Sequence, residues 1–284
     1  QKAGWMIHKT MPGRLPVQRQ SILGDNQEFS RTSRSASRGV ISRQLCVFSL
    51  VSMRTAYRNT LDNFANDIVE LSNTVHQVMD LASQALLAEP EAAQEPATQA
   101  VARTEELDAI RERSEARAFE LLALEGPVAS ELRQVVSSIY IVEDFTRMAA
   151  LATHIAKAVL RRFPERVLPE SVTADFAQLS ELVDDMAQQT TAILKDPAGG
   201  IATAMNDDDD AVDKLNAALL ALTTADDWAH GSRAAVDVAM LARYYERYAD
   251  HCVNVYARIV FLATGKLPEG FLSSQFHRSQ FVID

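Results

Sequence analysis

Two distant segments of this chain repeat one helical signature, and that repeat narrows its folds more than any other feature. Val142-Glu143-Asp144-Phe145-Thr146-Arg147-Met148-Ala149-Ala150 is answered about a hundred residues later by Ala242-Arg243-Tyr244-Tyr245-Glu246-Arg247-Tyr248-Ala249-Asp250. Each copy lies midway along a long stretch whose apolar residues step at three and four, the period of an amphipathic helix. A helix of this kind buries only one stripe and needs partners, so a duplicated set of helices is the simplest architecture that serves both copies.

The rest of the chain follows the same rhythm. Leu61, Phe64, Ile68, Leu71, Val75, Val78, Met79 and Leu86 predict a first helix from about 54 to 88, stopped at Glu89-Pro90. A second is expected from about 97, just past Pro96, to about 124. A third runs from Pro127, where proline is tolerated in a first helical turn, to Phe163-Pro164. Helices four, five and six are expected at about 170–195, 201–224 and 232–264, the last closed by Gly265 and Pro268. No segment sustains the strict alternation of a strand, and aromatic residues make up only 7%. The expectation is therefore an all-α protein of two tandem three-helix bundles, 53–165 and 166–271, with a C-terminal tail at 272–284.

Residues 1–52 differ in kind. They carry eight Lys or Arg against Asp25 and Glu28, with Gly, Pro, Ser and Gln scattered among them, and are expected to be a disordered basic extension. Because Met53 opens a well-patterned helix, they are further expected to be sequence upstream of the native start. Removing them from the chain's 28 basic and 38 acidic residues leaves 20 and 36, a net charge of −16 beyond residue 52. Such a surface disfavours nucleic acid and bare anionic lipid and favours cations or basic protein patches. No stretch approaches the roughly 20 apolar residues needed to cross a bilayer, so no membrane span is expected. Cys46 and Cys252 alone give no disulfide framework; a reducing compartment fits, and Cys252 reads as a small buried hydrophobe.

The chemistry concentrates in the second half. Asp209 and Asp213 are four apart near the start of helix five, and Glu246 and Asp250 four apart in the middle of helix six, so each pair shares one helix face. Two such pairs on packed neighbours would aim four carboxylates at one region. Hard oxygen ligands of this type suit Mg, Mn, Ca or iron, and a divalent or iron-type metal ion is the cofactor they would hold. The competing reading needs no metal: acidic residues near a helix start suit its dipole, and Arg243 and Arg247 are placed to neutralise Glu246 and Asp250. His251 and His154 read more simply as satisfied or exposed helix histidines than as ligands. In the first half the corresponding positions are Thr104 with Asp108 and Thr146 with Ala150, so three of the four carboxylates are missing; Glu105, Glu143 and Asp144 project at other angles. Any metal there should be weaker or absent.

Several strings carry a family resemblance. They are Met53-Arg54-Thr55-Ala56-Tyr57, Gly126-Pro127-Val128-Ala129-Ser130-Glu131-Leu132-Arg133, Leu151-Ala152-Thr153-His154-Ile155-Ala156-Lys157 and, most specific, Arg243-Tyr244-Tyr245-Glu246-Arg247-Tyr248-Ala249-Asp250-His251. From Met53 to about Gly265 the chain resembles the PhoU family of phosphate-signalling proteins. The resemblance implies two three-helix bundles with E/D-x-x-x-D signatures, some members binding iron, zinc or other metals there. It also implies a cytoplasmic homo-oligomer, a homodimer being the expected form, that negatively regulates phosphate uptake and starvation signalling. It would do so by contacting the phosphate ABC transporter ATPase and its sensor histidine kinase. Carried over residue by residue, the signature falls on Asp209, Asp213, Glu246 and Asp250 and fails at Thr104, Thr146 and Ala150, which implies a one-sided site.

Adaptor function is thus the leading expectation, with no enzyme activity and no catalytic residue assigned: the chain has no nucleophile elbow, P-loop or dinucleotide motif. The alternative is a carboxylate metal-binding protein or metalloenzyme of ferritin-like type. Its Glu-x-x-His motif is missing, since Asn73, Leu151, Asp227 and Tyr248 stand three before His76, His154, His230 and His251. The sequence offers no Gly-rich loop or obvious arginine cluster for an anion, so phosphate sensing is expected in the transporter.

Overall fold

The apolar stepping seen in the sequence is realised as six helices: α1 Ala36–Leu87, α2 Pro90–Leu124, α3 Ser130–Arg162, α4 Glu170–Lys195, α5 Ala204–Thr223 and α6 Gly231–Thr264. The computed structural model describes residues 36–124, 129–196 and 204–266, and side chains from residue 55 onward. Among the described residues no strand occurs. Helices α1–α3 and α4–α6 are two tandem bundles of three, and residues 50–284 form one compact unit. Of the other unit, residues 1–49, only the helical stretch 36–49 is described.

Three boundaries differ from expectation. α1 begins at Ala36, so residues 36–52 of the extension expected to be irregular are helical. No proline stands between Pro16 and Pro90 to stop a helix, and Val40, Ile41, Leu45, Val47, Phe48, Leu50 and Val51 sustain apolar content through the stretch. α2 begins at Pro90, leaving Pro96 inside the helix. The missing amide there is outweighed by packing: Ala93, Ala97 and Ala100 on one face are all buried. α3 is described from Ser130, and Pro127, expected in its first turn, lies outside the described residues, as do 1–35 and the tail at 272–284.

One continuous core runs through both bundles. α2 packs on α3, α3 on α6, α6 on α4 and α5, and α4 on α5. α1 is tied in by polar links as well as by Leu71, Val75 and Val78, which are fully buried. Arg113 and Arg117 of α2 both pair with the buried Asp67 carboxylate of α1. Ser72 and Thr191 of α4 share a buried hydrogen bond of 2.7 Å, and Ser83 shares one of 2.8 Å with the phenol of Tyr245 in α6. Cys252 is buried in the same core as a free thiol, pushed up to about 12 by burial. No helix among the described residues is long and apolar enough to cross a membrane.

α6 stops at Gly265, which adopts the left-handed conformation (φ 76°) and donates its amide to the Phe261 carbonyl at 2.8 Å. A Cβ here would lie 2.6 Å from Arg133 Nη1, whose guanidinium sits over the Phe261 ring. Gly231 (φ 77°) opens the same helix with open space around it. Replacing either by alanine incurs about 1 kcal/mol for the backbone conformation. Gly265→Ala must also displace Arg133, so its urea midpoint should fall further than that of Gly231→Ala, with m unchanged in both.

Candidate functional site: the acidic face of α5 and α6

α5 opens with Asp207-Asp208-Asp209-Asp210, acidic residues that favour the positive end of the helix dipole. Helical geometry turns them different ways: Asp207 and Asp210 are exposed, Asp208 accepts a hydrogen bond from Gln189 Nε2 of α4 at 2.8 Å, and Asp209 is buried. Asp213, one turn on, is exposed. On α6, Glu246 and Asp250 are both buried, at 8% and 4% exposure. Two carboxylates one turn apart on a buried helix face repel one another in a medium that screens poorly.

Arginines of the same helix answer that repulsion. Arg243 Nη1 lies 2.5 Å from Glu246 Oε1, and Arg247 Nη1 donates to Asp250 Oδ2 at 3.1 Å, each across three residues. This is the neutralisation that the positions of Arg243 and Arg247 allow without a metal. It is incomplete at Glu246, whose Oε2 is buried with no hydrogen-bond partner. Burial, followed by the Asp250 charge, pushes the Glu246 carboxyl up to about 7; Asp213 adds to the rise, while Arg243 and Arg247 oppose it. The 2.5 Å ion pair and the raised value pull in opposite directions, and burial decides, because one arginine on the outer oxygen leaves the inner oxygen without compensation.

Asp250 of α6 and Asp213 of α5 are therefore both brought within electrostatic reach of Glu246. Asp209 is buried one turn from Asp213 and acts instead on Cys252. Among the described residues no three His, Cys, Asp or Glu side chains converge closely enough to hold a metal ion in this arrangement. The donor type suits a hard cation, and the orphaned Glu246 oxygen is a feature a cation would satisfy; the arginines occupy the outer side of the same carboxylates.

The counterpart positions carry hydroxyls. Thr104 and Thr153 meet at 2.7 Å between α2 and α3, and Thr146 donates back to the Val142 carbonyl at 2.8 Å. Asp108 and Ala150 are exposed, Asp108 lying 3.7 Å from Arg111. Asp144, set aside in the sequence because of its angle, is buried at the α3–α6 interface: His251 Nδ1 donates to it at 2.9 Å, and Arg258 approaches at 3.7 Å. His251 is thus a satisfied interface histidine, while His154 is exposed and stacked on Tyr244 with centroids 5.4 Å apart. The repeat carried no signal for Asp144, since the second copy has Tyr244 at the corresponding position, and its partner His251 stands 107 residues away.

The family model of the PhoU domain matches this chain twice, over residues 68–159 and 176–259, one match within each bundle. The chain belongs to the PhoU family. It is 38% identical over 216 residues to the phosphate-specific transport system accessory protein PhoU homolog 2 of Mycobacterium tuberculosis, covering 76% of this chain and 100% of that protein. It is 41% identical over 219 residues to PhoU homolog 1 of the same organism, covering 76% and 96%. The crystal structure of the phosphate transport system regulatory protein PhoU from Streptococcus pneumoniae superposes with a TM-score of 0.62 at 25% identity, covering 75% of this chain and 99% of that one. PhoU from Pseudomonas aeruginosa shares the fold, with a TM-score of 0.64.

In this PhoU chain the second-repeat carboxylates make stability depend on pH. Glu246 holds its proton more tightly folded than unfolded, so its penalty is absent below about pH 4.5 and grows as pH rises towards about 7, where the folded carboxyl ionises. The shift corresponds to on the order of 3 kcal/mol as an upper bound. Glu246→Gln should therefore raise the unfolding midpoint at pH 8 and leave it nearly unchanged at pH 4, read as thermal melts across that range.

Proposed function

We propose that this PhoU protein is a cytoplasmic regulatory adaptor of phosphate homeostasis that restrains uptake and starvation signalling through protein contacts. The observation that carries this reading is the near-complete coverage of proteins named as phosphate-specific transport system accessory proteins at 38–41% identity. The partners are the ATPase of a phosphate ABC transporter and its sensor histidine kinase, and the adaptor works as a homo-oligomer. The physical basis is charge: a helical body with 36 acidic and 20 basic residues beyond residue 52 steers towards basic surfaces and away from nucleic acid. Nothing in this reading requires turnover.

The full chain, immobilised and offered the cognate ATPase and kinase at low and high phosphate, should retain at least one of them, with retention weakened as ionic strength rises. Retention of neither at any phosphate level would sink the adaptor reading.

A second reading is favoured by the orphaned Glu246 oxygen: a hard divalent or iron-type cation bound at the second repeat by Glu246, Asp250, Asp213 and Asp209, displacing Arg243 and Arg247. Elemental mass spectrometry on dialysed protein should then find metal in the wild type and not in a Glu246→Ala/Asp250→Ala double variant. Equal metal in both would remove these carboxylates as ligands.

A further inference from the structure

A groove of about 700 Å³ opens between the C-terminal end of α3 and the N-terminal end of α6, with Arg161 and Arg162 on one side, Ser232 and Arg233 on the other, and Val236 and Met240 along its floor. In a chain of net charge −10, three guanidiniums gather here. Arg161 and Arg162 are adjacent, but Arg233 is brought to them only by the packing of α3 on α6, which is why the sequence shows no arginine cluster.

The three are not equivalent. Arg162 is the most enclosed, pairs with Asp237 and reaches the Arg233 carbonyl at 3.5 Å. Burial, then the nearby charge of Arg233, lowers it from its usual value. Arg161 and Arg233 are exposed, and their guanidiniums have no hydrogen-bond or ion-pair partner among the described residues. Asp237 is the only carboxylate among the residues lining this groove, so positive charge remains in excess. A second cavity of about 300 Å³ continues from it, sharing Arg162 and Arg233 and adding His230 and Arg166, the latter paired with Glu89 at 3.2 Å and flanked by Glu165.

Planar guanidiniums without partners match the oxygens of a tetrahedral dianion, which two forks bind with more geometric definition than a lysine would. The apolar floor adds a further requirement. Val236 is 61% exposed and Met240 46% exposed, side chains that an inorganic ion alone would leave wet. The volume falls within the range of small-molecule sites, roughly 300–1,000 Å³.

We propose that this groove binds a phosphate group, presented either as free phosphate or as the phosphomonoester of a small organic molecule. Arg161 and Arg233 grip its oxygens, Arg162 is held in place by Asp237 behind them, and any organic body lies over Val236 and Met240. The site lies apart from the carboxylates of α5 and α6 and does not depend on the adaptor reading.

Calorimetric titration of the full chain with inorganic phosphate, and separately with adenosine monophosphate, tests it. At about 0.15 M chloride at least one probe should bind, and an Arg161→Gln/Arg233→Gln variant should bind it at least about tenfold more weakly while unfolding at the wild-type midpoint. The single variants Arg161→Gln and Arg233→Gln, each removing a partnerless exposed side chain, provide the same readout should the double variant not fold. Tighter binding of the nucleotide, weakened by the uncharged Val236→Asn, identifies an organic phosphate; binding of inorganic phosphate indifferent to Val236→Asn identifies the free ion. Binding of neither probe, or equal binding by wild type and the arginine variants, overturns the proposal.

Discussion

α6 is enclosed by its neighbours, and the arrangement of the other helices follows from that. α3, α4 and α5 pack along it, and α1 reaches it through the Ser83–Tyr245 hydrogen bond. A helix enclosed to this degree must be apolar or must satisfy each polar group it buries. α6 takes the second course: Tyr245, Glu246, Asp250 and His251 are all buried. Their partners come from four helices, namely Ser83 of α1, Asp144 of α3, Ser180 of α4, and Arg243 and Arg247 of α6 itself. The helix that organises the core therefore also carries its greatest electrostatic stress, and Glu246 is where that stress is least relieved.

The two repeats solve the same packing problem with different chemistry. α3 occupies the place in the first bundle that α6 holds in the second, and both leave apolar side chains exposed, Leu132, Val136, Ile139 and Tyr140 on α3 and Val236 and Met240 on α6. At the signature positions it carries Thr146 and Ala150. A hydroxyl there returns its proton to its own helix backbone and requires nothing from a neighbour, whereas a carboxylate at the same depth requires a cation or an arginine. Duplication supplied the scaffold twice; at the signature positions the acidic demand was placed on one copy.

Much of this was legible because helical periodicity is local. α4 at Glu170–Lys195 and α6 at Gly231–Thr264 lie where their apolar steps and closing Gly265 put them. The start of α2 was not legible, since Pro96 is a break by local rules and is overruled by alanines whose burial depends on other helices. The same division holds in the acidic site. Spacing alone places Glu246 and Asp250 on one face, but the depth of Glu246 depends on what packs against α6. The Asp144–His251 link and the groove joining Arg161 to Arg233 depend on α3 meeting α6, which no local pattern encodes.

The position of α6 in chain order bears on how the protein is made. The faces of α3 and α4 that pack on α6 find their shared partner only when the last described helix has been synthesised, on the order of ten seconds after α3 leaves the ribosome at ordinary elongation rates. Until then the first bundle stands without the surface that completes it, and the Ser83–Tyr245 bond closes across 162 residues of chain. A ribosome paused between the repeats would hold a nascent chain with an open apolar face, the state most exposed to chaperone capture and to misassembly with a neighbouring copy.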